Sequence, residues 1–204
     1  MLKNGVDYSA SWEQICDRAL GRLGADGVDN ENSAEYCERY LPEAVEHVLG
    51  QFDFTFARKR ERLAPDTEPP AFGWKYRFNL PVSLIRLTGV YGGHPGNGTD
   101  ADFNETRRVP YQAENGAILA NTGELFIIYT ERPDDPNRLT QGARKAISTY
   151  LAYLLSTAIA SNEQLTGLLL QEAAQAIETA KKEDAQTGYD PAFEGEPFHT
   201  EARK

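Results

Sequence analysis

The hydrophobic period of this chain changes twice, and a pattern that suits a helix cannot also line one face of a strand. Both ends repeat at helical steps, whereas the middle alternates. Near the start, Trp12, Ile15, Cys16, Ala19, Leu20 and Leu23 fall on one helical face. Ser11 is placed to cap this helix, with Gln14 returning the bond, and Gly24 is a plausible stop. A second stripe runs through Tyr36, Cys37, Tyr40, Leu41, Ala44, Val45, Val48 and Leu49, with Asn32 as cap and Glu35 as its partner. Pro42 lies inside that stripe and predicts a kink or a split. The short link between the two helices predicts an antiparallel hairpin.

The alternating region begins at Phe52, Phe54 and Phe56, and its parity continues into Arg58, Arg60 and Arg62. A strand leaving the core for the surface is the expected structure. Pro65, Pro69 and Pro70 mark a loop before a second alternating run, Trp74, Tyr76, Phe78 and Leu80. Val82 to Arg86 reads as a helical turn before a strand through Leu87 and Val90. The Gly-, Asn- and Asp-rich residues 92–102 read as an exposed loop. Glu114-Asn115-Gly116 signals a hairpin between strands 109–113 and 117–120. Leu125 to Tyr129 is the most apolar strand and is expected to be buried on both sides.

The helical period then returns. Ala143, Ala146, Ile147, Tyr150, Leu151, Leu154, Leu155, Ala158 and Ile159 form one stripe; Ser161 and Gln164 open the next, through Leu165, Leu168, Leu169, Ala173, Ala176, Ile177 and Ala180. The expected fold class is α+β: four principal helices, about 11–24, 33–50, 140–160 and 162–186, forming a bundle. A small, mainly antiparallel sheet, about 52–130, is inserted between helices two and three. Residues 1–188 make one domain, and the acidic tail 189–204 is expected to be mobile when alone.

Composition removes several classes of function. The 204 residues carry a formal net charge of −10, unfavourable for autonomous DNA or RNA binding, which rests on neutralising phosphates. Ten Tyr and nine Phe argue for a packed core. No run of about 18 apolar residues is present to span a membrane, and no apolar leader precedes Ser11, so a soluble, intracellular product is expected. Two cysteines make no disulfide framework.

The sequence nominates no catalytic, cofactor-binding or metal-ligating residue. His47, His94 and His199 lie in unrelated segments, and no HExxH or CxxC occurs. Cys16 and Cys37 fall on apolar helix faces and read as buried hydrophobes able to approach each other. Asp100, Asp102 and Asn104 begin like a calcium loop, but Glu105 and Tyr111 stand where Gly and Glu are needed. The loop from Gly92 to Gly98 lacks the Lys-Ser/Thr ending of a P-loop. No GxSxG is present. Two basic segments remain: Arg58, Lys59, Arg60 and Arg62, and Arg107 with Arg108. They read either as local salt bridging or as contacts to an acidic neighbour or DNA backbone. Core packing explains the Phe52–Phe56 and Trp74–Phe78 aromatics more cheaply than base stacking does.

The order of these segments resembles the tail tubular protein A or head-to-tail adaptor family of short-tailed bacteriophages and prophages. The pieces are Ala19-Leu20-Gly21-Arg22-Leu23-Gly24, Tyr36-Cys37-Glu38-Arg39-Tyr40, Phe54-Thr55-Phe56-Ala57-Arg58-Lys59-Arg60 and Trp74-Lys75-Tyr76-Arg77-Phe78-Asn79-Leu80-Pro81. Gly116-Ala117-Ile118-Leu119, Ile128-Tyr129, Tyr150-Leu151-Ala152-Tyr153-Leu154-Leu155 and then Ala173, Ala180 and Asp184 complete the order. Phe54 departs from a Trp common at that place, and Pro42 departs inside helix two.

The resemblance implies a structural subunit, not an enzyme. It implies a dodecameric ring between the portal protein and the tail nozzle protein, at the virion head–tail junction after assembly in the bacterial cytoplasm. DNA would pass through without sequence-specific binding; no cofactor, metal or membrane is implied. Its candidate protein-contact residues here are Arg58, Arg60, Arg62, Arg107, Arg108, Tyr189, Phe193 and Phe198. Two alternatives stand beside it. An enzyme with an unrecognised carboxylate site predicts carboxylates converging in a pocket. A DNA-packaging accessory predicts Arg58, Arg60, Arg107 and Arg108 on one continuous face.

Overall fold

The computed structural model describes residues 2–3, 6–7, 11–24, 31–93, 108–160 and 162–187, with backbone only at 2–3, 6–7, 31–32 and 159–160. The chain forms a four-helix arrangement with two small antiparallel sheets, of three strands each, inserted between the second and third helices. A short antiparallel pair, β1 (Leu2–Lys3) and β2 (Val6–Asp7), precedes them.

Helix α1 (Trp12–Gly21) starts as expected. Ser11 Oγ accepts from Gln14 N at 3.1 Å, and Gln14 Oε1 accepts from Ser11 N at 3.4 Å. Gly24, just past the end, takes the left-handed φ of 67° that suits glycine. Helix α2 (Glu31–Gly50) corrects two expectations. It already runs from Glu31, so Asn32 lies within its first turn, and Glu35 instead pairs with Arg39 at 2.9 Å. It also continues through Pro42 without splitting. Pro42 is on the exposed side, so the Glu38 carbonyl that loses its partner is on the side water reaches.

Helix α3 (Gln141–Leu155) is capped by Thr140, whose Oγ1 accepts from Ala143 N at 3.2 Å. It ends in a π turn, Ser156–Ala160. Helix α4 (Glu163–Thr187) follows, with Asn162 Oδ1 accepting from Leu165 N at 3.2 Å; the expected cap, Ser161, lies outside the described residues. Helix α3 is central. Its Ala143, Ala146, Ala152 and Leu151 are fully buried, and α1, α2 and α4 all pack against it. The α1–α2 contact is slight by comparison, so the expected hairpin does not organise the bundle.

The aromatic run is not a strand. Residues 53–54 are irregular and Thr55–Ala57 is a 3₁₀ turn. Phe54 is buried between Phe52 and Phe56, with ring centroids 5.3 and 5.2 Å away, and all three pack onto the helical core. Spacing by two therefore reflects a turn that plugs the end of the bundle, which buries the rings as well as a sheet would.

The first sheet has the order β3 (Arg58–Leu63), β8 (Leu125–Glu131), β5 (Leu84–Gly92). The second has the order β4 (Tyr76–Asn79), β7 (Ala117–Ala120), β6 (Tyr111–Glu114). They share one apolar core: Leu63, Val90, Leu125, Ile127 and Tyr129 of the first sheet cluster with Phe78, Ile118 and Ala120 of the second. The expected single sheet is thus two. The helical turn expected at Val82–Arg86 is only a turn at 82–83, and β5 begins at Leu84. The β6–β7 hairpin forms as expected, with Asn115 and Gly116 at φ 47° and 70°. Strand β8 is central but not equally buried on its two faces: Leu125, Ile127 and Tyr129 are buried, whereas Phe126 and Ile128 are only half-buried. Among the described residues, no helix is long and apolar enough to cross a membrane.

Candidate functional site

Pairing register decides which basic residues share a surface, because side chains directly opposite in a sheet lie on the same face. Arg58, Arg60 and Arg62 pair with Thr130, Ile128 and Phe126 of β8. These lie on the face turned away from the shared sheet core. Across β8, Arg86 pairs with Thr130, Gly89 with Ile128, and Tyr91 with Phe126. Tyr91 bridges in turn to Arg108. Three rows follow: Arg58–Thr130–Arg86, Arg60–Ile128–Gly89, and Arg62–Phe126–Tyr91–Arg108. Five arginines, all exposed, therefore frame two edges of one sheet face, with Phe126 and Ile128 between them.

This brings together four of the candidate residues: Arg58, Arg60, Arg62 and Arg108. Arg107, Tyr189, Phe193 and Phe198 lie outside the described residues, as do His94, His199, the calcium-like segment and the tail 189–204. Arg86 escapes the sequence reading because Val82–Arg86 scans as a helical turn; in the structure it lies on β5, where register irregularities between Leu84 and Arg86 and between Leu87 and Gly89 set its face. Gly89 has a specific role here. A Cβ at that position would lie 2.6 Å from the Tyr91 ring, so the missing side chain leaves room for that ring.

Part of the charge is compensated locally. Arg58 donates to Asp53 Oδ2 through Nε at 3.1 Å and Nη2 at 2.7 Å, and Arg62 reaches Glu124 at 2.7 Å. Arg60 and Arg108 also interact within the molecule. Lys59 points the other way. Its Nζ lies 2.6 Å from Glu131 and 4.0 Å from Glu61, while Tyr129 donates to Glu61 at 2.8 Å. Arg138 approaches Glu131 at 3.2 Å. The Lys59 bond holds the Glu131 carboxyl below its ordinary range, and Glu131 raises Lys59 in return. Burial, then the bond to Glu61, pushes Tyr129 up. This network ties β3 to β8 along the sheet edge.

Among the described residues, the remaining titratable groups lie in separate places. Cys16 and Cys37 are buried free thiols that do approach each other: their mutual hydrogen bond, aided by burial, raises Cys16, and the same bond lowers Cys37. His47 stacks on Tyr150 at 4.0 Å, and burial lowers its pKa. It lines a cleft of about 200 Å³ with Glu178 and Lys181. An apolar groove of about 330 Å³ lies between α2 and the β8–α3 link, lined by Trp12, Leu41, Pro42, Val45 and Pro133. Among the described residues, no group of three or more His, Cys, Asp or Glu is placed to hold a metal ion.

No protein-family model matches the chain. No curated protein is significantly similar to it either.

Proposed function

We propose that the chain is a structural head–tail adaptor subunit of a phage or prophage, forming a ring between the portal protein and the tail nozzle protein. The observation that carries this reading is a division of labour within one subunit. A helical body is built from both ends of the chain, and the inserted sheets turn an arginine-framed face outward. That is the α+β plan the family resemblance implies, with a charged surface where neighbours would be met. Its action is mechanical and electrostatic. A heterologous contact repeated through a closing rotation makes a ring, and acidic groups facing the channel would let DNA slide rather than stick. The site of action is the virion head–tail junction.

The test is to mix purified protein with its cognate portal and image the product. A collar of subunits at the portal base is the expected result, and persistent absence of binding across assembly conditions would count against the adaptor. A basic lumen in that ring would sink the sliding mechanism while leaving the adaptor standing.

One observation favours a second reading, a DNA-packaging accessory: Arg58, Arg60 and Arg108 do share a face. That reading expects duplex DNA affinity to fall steeply with salt, in proportion to the phosphates neutralised. Binding that ignores ionic strength would reject it.

A further inference from the structure

The chain's two cysteines both lie in the helical core. Cys16 sits on α1 at 4% exposure and Cys37 on α2 at 2%, each a free thiol. Helix α1 packs mainly on α3 and touches α2 only slightly, yet the two sulfurs meet at that seam and share a hydrogen bond. The bond keeps the proton on Cys16 and favours the thiolate at Cys37. A metal would need further ligands, and among the described residues no group of three or more His, Cys, Asp or Glu is placed to supply them. A buried thiol alone serves as a small hydrophobe. Two in contact have a second chemistry, because oxidation only replaces the S–H···S contact with an S–S bond.

We propose that Cys16 and Cys37 form a modification site: a dithiol that a peroxide oxidises to a disulfide within one chain, joining α1 to α2. The Cys37 thiolate attacks one oxygen of hydrogen peroxide. The O–O bond breaks, hydroxide leaves and is protonated to water, and Cys37 becomes a sulfenic acid. The Cys16 sulfur then attacks the Cys37 sulfur, the S–O bond breaks, and the departing hydroxide takes the Cys16 proton as a second water. Two thiols thus lose two electrons and two protons, and peroxide is reduced to two waters.

The geometry gives the two steps unequal rates. Burial slows the first, since peroxide must enter at the seam, and Asp17 disfavours the thiolate at both sulfurs. The second is fast because Cys16 is already at hand. The sulfenic acid therefore closes to the bridge before an outside reagent traps it. The site lies within a single subunit, so it stands or falls apart from the ring.

The test exposes the reduced full chain to hydrogen peroxide in native, thiol-free buffer. Free thiols, counted afterwards in denaturant, are expected to fall from two to none. The intact mass should drop by two hydrogens with no oxygen added, the chain should stay monomeric on a non-reducing gel, and dithiothreitol should restore both thiols. The bridge ties residues 17–36 shut, so the oxidised chain is expected to melt about 5–10 °C above the reduced one. In Cys16→Ala the sulfenic acid has no partner, and a 1,3-dione probe should label Cys37, whereas wild type should stay unlabelled. Cys37→Ala should label about tenfold less than Cys16→Ala. Thiols that survive in folded wild type, oxygen added without a bridge, or bridges between chains would each overturn the assignment. So would a bridge that forms only in urea, or an oxidised chain that melts lower, since either means that the native core does not present the sulfurs to each other. The wild-type measurements decide the matter even if a variant fails to fold.

Discussion

Asp184, near the end of the last helix, holds Thr55, at the entrance to the first sheet. Its carboxylate is 2% exposed and accepts from Thr55 N at 2.8 Å and from Thr55 Oγ1 at 2.9 Å. Two parts of the chain 129 residues apart are joined by a pair of charge-assisted hydrogen bonds. The bonds also cap the 3₁₀ turn that carries Phe54 and Phe56 into the helical core.

Truncating Asp184 to Ala removes the charged acceptor of both the Thr55 N–H and the Thr55 hydroxyl and is expected to cost about 3 kcal/mol in urea unfolding. Asp184→Asn should cost less, since its amide oxygen still accepts and its NH₂ can donate to the Thr55 hydroxyl. Equal losses for the two variants would mean that packing, not this pair of bonds, is what Asp184 supplies.

Pro42 sits in an unbroken helix, where it removes one backbone hydrogen bond. Pro42→Ala restores that bond but loosens the unfolded chain, so the expected net gain is about 2 kcal/mol. A lowered melting temperature would show that the ring's packing at the α2 groove outweighs the missing bond.

Glu131 connects the pH dependence of stability to the sheet edge. Its folded pKa is depressed, first by the Lys59 bond. The stability it adds is therefore present above the ordinary carboxylate range and lost as pH falls through its depressed folded value. Glu131→Gln is expected to lower the urea midpoint at neutral pH, and the difference from wild type should shrink steadily on acidification. A gap that stays constant down to strongly acid pH would contradict this.

Gly89→Ala is expected to force the Tyr91 ring off its place on the arginine face, at a cost of about 2 kcal/mol. Tyr91 fluorescence is not isolated among ten tyrosines, so a structure or NMR shifts of the Tyr91 ring are the direct readout. An unmoved ring would mean that β5 shifts instead.

The helical ends were legible because each helix repeats one apolar face over several turns and its caps are local chemistry. Ser11 with Gln14, and Asn115 with Gly116, need only their neighbours to act. The Phe52–Phe56 run was misread because spacing by two buries rings equally well in a strand or in a turn wedged against helices. The turn form is held by contacts with distant segments, the Asp184 bonds to Thr55 and the helical core beneath the rings.

The candidate surface divides in the same way. The sequence shows that Arg58, Arg60 and Arg62 share a parity, since alternation within a strand is a local property. It does not show that Arg86 and Arg108 join them. That follows from antiparallel pairing with β8 and from two irregularities in β5, which are contacts between distant segments. Nor does it assign counter-charges: Asp53 and Glu124 take Arg58 and Arg62, while Glu131 takes Lys59 on the opposite face. The sequence alone thus determined the helix–sheet–helix order and the acidic balance. Only the tertiary structure decided which charges lie together, because a pairing register is a relation between strands and no single strand contains it.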